Sequence, residues 1–199
     1  MYGLPLTTEK KQQLPKKALY AKFDLKTAQR DSFDADISRI DIVAVISSTT
    51  LPALQVGENV KEMYVLAVQM KHKEYDDNNL LLLNKLIPQK MIFALHFEGE
   101  VQFVVFHTKL FQTSWQPEEE AILPLSGLNL DRVWDNIVKE IGRIEVTENH
   151  TLTEQIVADE RQTQLLAKIA TLEQRMAKEK QPRRKREYFE QIKNLKGNI

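Results

Sequence analysis

Apolar and polar residues alternate over several short stretches of the chain, and this period of two predicts β-strands. The stretch ISRIDIVAVIS, residues 37–47, is rich in β-branched residues. The stretch EMYVLAVQMK, residues 62–71, is apolar enough to lie centrally in a sheet. Both stretches are therefore predicted to be strands.

A β-hairpin is predicted in the middle of the chain. KMIFALHF, residues 90–97, and VQFVVFHTK, residues 101–109, are joined by the short link Glu98-Gly99-Glu100. Two apolar runs around so short a glycine-containing link are typical of a hairpin. LFQTSW, residues 110–115, is expected to extend this meander.

Three short helices are predicted before and between these strands. Pro15 opens the stretch KKALYAKF, a second helix is expected over residues 27–33, and Thr8 is placed to cap a turn. The leucine-rich stretch DDNNLLLLNKLIPQ, residues 76–89, begins with capping residues, and Pro88 is expected to close it. The first 35 residues are thus predicted to be short helices and turns without a strand.

The clearest helix is predicted within SGLNLDRVWDNIVKEIG, residues 126–142. Asn129 is a good N-cap, and Asp131 lies in the first turn, where the helix dipole favours an anion. One broad apolar face follows from the helical spacing of six residues: Leu130, Val133, Trp134, Ile137, Val138 and Ile141. This helix is expected to pack on the sheet and to close a domain over residues 1–145.

The remaining residues, 146–199, are predicted to form a helical tail. Leu165, Ile169, Leu172 and Met176 are spaced by four, three and four residues, which is typical of a coiled-coil seam. After Gln181-Pro182 a second apolar stripe is expected to contain Phe189, Ile192 and Leu195. A seam of about two heptads is marginal alone, so it requires a companion: the second helix, a second copy of the chain, or another protein.

The predicted fold class is therefore α+β, with a mixed and mostly antiparallel sheet, flanking helices and a coiled-coil-like helical tail. The 28 basic and 28 acidic residues balance overall, but residues 151–199 carry a net charge of +4. There is no cysteine, which excludes disulfides and thiolate zinc sites. The N-terminal stretch MYGLPLTTEKK lacks the apolar core of a signal peptide, and no membrane span is indicated, so a cytoplasmic location is expected.

Four segments in the order found here resemble the bacterial DUF4391 family, a domain of unknown function. They are GLPLTTEKKQQLPKKALY, LLLLNKLIPQKMIFALHFEG, TSWQPEEEAILPLSGLNLDRVWDNIVKEIG and LEQRMAKEKQPRRKREYFEQIKNLK. The resemblance covers most of the chain and is weakest over residues 25–60. It implies a small companion encoded near helicases and DNA methyltransferases, in restriction-like or phage-defence gene clusters. It brings no catalytic residues with it.

The stretch RMAKEKQPRRKRE, residues 175–187, is the most basic part of the chain, and we call its six later cations the basic elbow. Two interpretations stay open: it contacts nucleic-acid phosphates, with Tyr188 and Phe189 near unpaired bases, or it is a solvated turn between two helices. The six residues are Lys178, Lys180, Arg183, Arg184, Lys185 and Arg186.

Enzymatic alternatives have weaker support. A Mg²⁺-dependent nuclease would use Asp41 on one strand and Lys71 at the end of the next, but Gln69 stands where a carboxylate is wanted. His96 and His107 are expected on paired strands, yet two histidines without a third ligand make a poor zinc site. No phosphate-binding glycine motif is present, and the acidic clusters at 76–77 and 118–120 are expected to be solvated.

The sequence thus predicts a non-catalytic accessory subunit with no cofactor. It is expected to dock through its helical tail on a helicase or another DNA-processing subunit, or on a second copy of itself. A nucleic-acid-binding protein that uses residues 175–189 is the first alternative.

Overall fold

In the computed structural model, which describes residues 1–85, 88–147 and 150–197, the chain divides into two units, Met1–Glu145 and Val146–Ile199. The first unit contains one seven-stranded sheet with the path β1-β2-β3-β4-β5-β6, and β7 pairs with β5. The β3–β4 pair is parallel and the other pairs are antiparallel. The strands are β1 (Glu9–Gln13), β2 (Ile37–Ser47), β3 (Glu62–Met70), β4 (Lys90–Phe97), β5 (Glu100–Phe106), β6 (Leu110–Gln112) and β7 (Gln116–Pro117).

Among the described residues, four α-helices belong to the first unit and two to the second. They are α1 (Lys16–Phe23), α2 (Thr27–Asp36), α3 (Asp77–Asn84) and α4 (Leu130–Gly142), then α5 (Leu152–Lys178) and α6 (Pro182–Lys196). Helix α3 ends at Asn84, four residues before Pro88, where the sequence predicted its end, and Leu86 and Ile87 between them lie outside the described residues. None of the helices in the described part of the chain is long and apolar enough to cross a membrane.

The predicted fold class is confirmed: the sheet is mixed and mostly antiparallel, with helices beside it and a helical C-terminal part. The prediction that the first 35 residues contain no strand is wrong, because Glu9–Gln13 forms the edge strand β1. Its sequence, EKKQQ, is polar throughout and all five residues are exposed. Only the antiparallel pairing with β2 makes this segment a strand.

The two faces of the sheet are covered differently. Residues of β2–β5 on one face pack with α1, α2 and α3, for example through Leu19, Phe33 and Leu80. Neighbouring positions of β4 and β5, such as Ile92 and Val105, are buried on the other face. The apolar face of α4 is buried there, and α4 contacts β5 and β6.

Asp36 joins α2, β3 and α3 on the first face. Its side chain is almost fully buried and accepts hydrogen bonds from the backbone N–H of Asp76 (2.8 Å) and from Asn79 Nδ2 (2.7 Å). Its backbone carbonyl accepts from the N–H of Lys71. Because buried polar groups are stable only when they are hydrogen-bonded, this carboxylate fixes the start of α3 against the end of α2.

A second carboxylate fixes the loop before β3. Asp131, in the first turn of α4, accepts hydrogen bonds from the backbone N–H groups of Glu58 (2.7 Å), Asn59 (3.2 Å) and Val60 (2.7 Å). A Cβ atom at Gly57 would lie 2.4 Å from Asp131 Oδ1, so only glycine allows this close approach. Although partial desolvation acts in the opposite direction, the three donors lower the pKa of Asp131 below its ordinary value.

We expect Asp131→Asn to lower the free energy of unfolding by about 1–2 kcal/mol at neutral pH, because the backbone donors lose a charged acceptor. A carboxyl group whose pKa is lowered in the folded state stabilises the fold at pH values above its ordinary pKa. This contribution is lost as the pH falls through the lowered pKa. The difference between the two proteins should therefore shrink in acid. Urea unfolding at a series of pH values measures it.

The matched control for that series is Asp135→Asn, on the same helix. Burial raises the pKa of Asp135, so its charge is disfavoured in the fold, and the substitution should not destabilise. Equal losses for both variants at neutral pH would contradict the role given to Asp131.

Candidate functional site

The second unit is a helical hairpin in which α5 and α6 cover one another. Ile169 and Leu172 of α5 and Ile192 of α6 are buried together. Partly buried residues pack around them, namely Met176, Tyr188 and Leu195. The second helix of the same chain therefore supplies a companion for the apolar seam predicted on α5.

The seam differs from the prediction at one position on α6. Tyr188 packs against the seam, whereas Phe189 has 58% of its surface exposed. Neighbouring residues on a helix are about 100° apart, so only one of the two can face α5. Tyr188, Ile192 and Leu195 are spaced by four and three residues, which places them in one stripe. At the far end of the seam on α5, Leu165 is half-buried.

Besides Val157 near the start of α5, two large apolar side chains stay outside the seam, Leu166 at 51% and Phe189 at 58% exposure. Each follows a seam position by one residue, and in an antiparallel pair of helices this rotation turns both toward the same side. The ion pair between Lys196 Nζ and Glu173 Oε1 (2.9 Å) joins two more residues that follow seam positions by one, which agrees with this arrangement. The hairpin therefore has one side with two exposed apolar residues.

The basic elbow lies at the tip of the hairpin, where three residues connect the two helices. All six of its cationic residues are exposed. Two of them make pairs with glutamates one turn later, Arg183–Glu187 (3.5 Å) and Arg186–Glu190 (3.4 Å). Such exposed pairs contribute little. The tip therefore presents a dense positive charge to its surroundings.

Four of these cations occupy the first turn and a half of α6, which starts with Pro182. The helix dipole makes this end positive, so cations there are disfavoured by about 0.3–1 kcal/mol each. No acidic residue lies in this first turn, and the N-cap residue Gln181 makes no side-chain hydrogen bond to it. The carboxylate of Glu179, in the connection before α6, accepts from the backbone N–H groups of Lys180 and Gln181. The first-turn N–H groups of α6 and the four cations beside them have no such side-chain acceptor from the N-cap, an arrangement that suits an anion.

The two residues of the nuclease alternative have separate partners. Asp41 forms a bidentate pair with Arg39, at 2.6 Å to Nε and 2.8 Å to Nη2. The ammonium of Lys71 donates to the backbone carbonyl of Asp34, near the end of α2. No described contact joins Asp41 to Lys71, and among the described residues no group of three His, Asp or Glu side chains is arranged to hold a metal ion.

The two strand histidines also lie apart. His96 Nε2 is hydrogen-bonded to the Tyr2 hydroxyl, and its Nδ1 lies 3.6 Å from Glu118. His107 accepts from Trp134 Nε1 (3.2 Å). Burial lowers the pKa of both imidazoles, so both are neutral near pH 7.

Sequence reasoning missed a concave surface of the first unit, which we call the sheet cleft. It has a volume of about 580 Å³ and lies on the face of the sheet that carries Asp41 and His96. Its charged and polar lining residues are Lys10, Lys11, Gln12, Gln13, Arg39, Asp41, Gln69, His96 and Glu118. They come from five separate parts of the chain, so no local motif marks them.

Fold and hairpin together define a class: an α+β protein with one mixed sheet and a C-terminal helical hairpin with a basic tip. The DUF4391 family, a domain of unknown function, matches residues 2–199, and the chain belongs to that family. The resemblance in the sequence is thereby confirmed. No curated protein and no solved structure matches the chain.

Proposed function

We propose that this protein is a non-catalytic nucleic-acid-binding subunit whose hairpin tip contacts the phosphate backbone. The observation that carries the proposal is the group of four consecutive cations, Arg183–Arg186, at the uncapped positive end of α6. A solvated turn does not require cations at the position where the helix dipole disfavours them. A phosphate partner would reverse that penalty, since it would be attracted by both the side chains and the helix end.

The binding expected from such a tip does not depend on the base sequence of the nucleic acid. Arginine and lysine contacts to phosphates release counterions, so affinity falls with a slope of about −0.9 per contact in a plot of log K against log salt for duplex DNA. Phosphate contacts position a protein on nucleic acid and do not read its bases. The proposed role is therefore to hold or guide nucleic acid for another enzyme.

The DUF4391 resemblance supports the same setting, since it implies companions of helicases and DNA methyltransferases. We therefore propose that the protein acts in the bacterial cytoplasm as an accessory subunit of a restriction-like or phage-defence complex. Leu166 and Phe189, exposed on one side of the hairpin, are the residues we propose for contact with the larger subunit. The seam residues Leu165, Ile169, Leu172, Met176, Ile192 and Leu195 then act indirectly, by holding the two helices together.

Neutralising three arginines at the tip tests the nucleic-acid proposal. We expect Arg183→Gln, Arg184→Gln and Arg186→Gln together to weaken binding by on the order of 100-fold at about 0.1 M salt, and to reduce the salt slope by about 2–3. Fluorescence anisotropy with labelled duplex and single-stranded DNA of arbitrary sequence measures both quantities.

The matched control removes three exposed charges from the same hairpin away from its tip: Arg161→Gln, Lys168→Gln and Lys193→Gln. It should retain most of the affinity. If both triple variants lose affinity equally, the binding reflects general charge and not the tip. If the wild-type protein binds neither DNA, the proposal is wrong.

A further inference from the structure

The lining residues of the sheet cleft all belong to the first unit. We propose that this cleft binds a small phosphorylated ligand of mononucleotide size, with the phosphate at Lys10, Lys11 and Arg39 and a planar ring over Ala67. Its volume of about 580 Å³ falls within the range of about 300–1,000 Å³ typical of small-molecule sites.

The floor of the cleft is set by the register of three neighbouring strands. Arg39 of β2 pairs with Gln69 of β3, and Gln69 pairs with His96 of β4. These three polar residues form a row across the sheet. In the next row Asp41 pairs with Ala67. Towards β5 this face is apolar and buried at positions such as Ile92 and Val105, so the polar row marks the part of the sheet that is open to a ligand.

The small side chain of Ala67 lies at the centre of the floor. Its neighbour in the register, Ala94 of β4, is fully buried. A planar ring can approach a sheet closely only where the side chains are this short. Val43 of β2 adds apolar surface beside it.

The charges of the cleft are divided between its two sides. Lys10 and Lys11 come from the edge strand β1, and Arg39 comes from the adjacent strand β2. Asp41 holds the Arg39 guanidinium through Nε and Nη2, which fixes its plane and leaves Nη1 outside the pair. Lys11 Nζ lies 3.7 Å from Glu9, in an exposed pair that contributes little. A fixed guanidinium that lines the same cleft as two lysines is suited to a phosphate group.

The opposite side offers hydrogen-bond acceptors in place of cations. His96 is neutral and has a partner at each ring nitrogen, Tyr2 and Glu118, so it adds no positive charge. Gln69 donates its amide to the His96 carbonyl (3.4 Å), which leaves its side-chain oxygen as an acceptor. Together with the Glu118 carboxylate, this oxygen suits the amino or imino groups of a nucleobase. The anionic end of a ligand is therefore directed to β1 and β2, and the base to β3 and β4.

The other large clefts of the first unit lack this division of charge. The one between α2 and α3, of about 440 Å³, has Lys85 as its single basic lining residue. The one beside α1, of about 350 Å³, is lined mainly by apolar residues such as Leu14, Leu19 and Tyr64. Among the clefts described, only the sheet cleft combines a group of cations with a small-residue floor.

Isothermal titration of the full chain with adenosine monophosphate, adenosine and inorganic phosphate tests the proposal. We expect the monophosphate to bind more tightly than either part, because each part occupies one side of the cleft. Lys10→Gln with Lys11→Gln should weaken monophosphate binding at least tenfold. Ala67→Leu should weaken it similarly by filling the floor, with no change in charge.

A control variant with the same charge change outside the cleft, Lys17→Gln with Lys22→Gln on α1, should bind as the wild type does. Thermal unfolding of each variant shows whether it is folded. Absence of monophosphate binding at millimolar concentration would overturn the proposal, as would unchanged binding in both cleft variants.

The same cleft chemistry fits a free nucleotide or the phosphorylated end of a strand. A 5′-phosphorylated trinucleotide in parallel titrations separates these sources: tighter binding than the monophosphate identifies a strand end, and weaker binding identifies the free nucleotide. The triple variant of the hairpin tip should leave monophosphate binding unchanged. Failure of the cleft proposal and failure of the tip proposal are therefore distinguishable.

Discussion

Replacing Trp134 with alanine is expected to lower the free energy of unfolding by about 3–5 kcal/mol. Trp134 is among the largest fully buried side chains of the protein and lies in the middle of the apolar face of α4. Its Nε1 donates to His107, and the Lys90 ammonium lies 5.2 Å from its ring centroid. The substitution thus removes core volume, a hydrogen bond and a cation–π contact together.

Chemical denaturation of the full chain measures this loss, and Arg132→Ala on the exposed side of the same helix is the control. A surface substitution of this kind usually changes stability by less than about 0.5 kcal/mol. A loss near that value for Trp134→Ala would show that α4 contributes little to the core of the first unit.

Helix α4 could be predicted from the sequence because the signals for it are local. All six residues of the predicted apolar face are buried, and the Asn129 side chain accepts from the N–H of Arg132 (3.0 Å) as an N-cap does. Spacing and capping are properties of a few consecutive residues, so they can be read without knowledge of the partner. The same holds for the apolar strands β2 to β5, whose composition alone indicates burial.

The edge strand β1 and the sheet cleft could not be predicted for the opposite reason. EKKQQ has no apolar face and is a strand only because it pairs with β2. The row Arg39, Gln69 and His96 depends on the register between three strands that are far apart in sequence. Neither feature leaves a periodic signal, because both are created by pairing.

The seam of the hairpin is an intermediate case. The spacing of Ile169, Leu172 and Met176 correctly indicated an apolar stripe on α5, but three possible companions shared the same pattern. On α6, Tyr188 and Phe189 are adjacent aromatic residues whose side chains point about 100° apart, so only one of them can face α5. Which of the two faces α5 depends on how the two helices pack against each other, and the spacing of apolar residues in the sequence does not specify this.

Ile192→Glu is expected to separate α6 from α5, whereas Phe189→Glu should leave the hairpin intact. Ile192 is buried in the seam between Ile169 and Leu172, while Phe189, three residues earlier on the same helix, is mostly exposed. The seam substitution loses about 1.5–3 kcal/mol of side-chain burial. It also requires a carboxylate either to be desolvated or to leave the interface.

Amide hydrogen exchange of the full chain measures the effect residue by residue. A loss of about 2–3 kcal/mol corresponds to a fall in protection of roughly 30- to 150-fold, since 1.4 kcal/mol is a factor of ten. We expect this fall in α6 and in the facing part of α5 for Ile192→Glu. For Phe189→Glu we expect protection close to that of the wild type.

The pair of variants also separates the structural role of the seam from the proposed docking side. If a DNA-processing subunit binds the side that contains Leu166 and Phe189, then Phe189→Glu should abolish assembly while the hairpin keeps its protection. Ile192→Glu should weaken assembly and DNA binding together, because both surfaces depend on the position of α6. Equal protection in the two variants would show that α6 is not held by the seam, and the basic tip would then lack the fixed helix end on which its proposed phosphate contact depends.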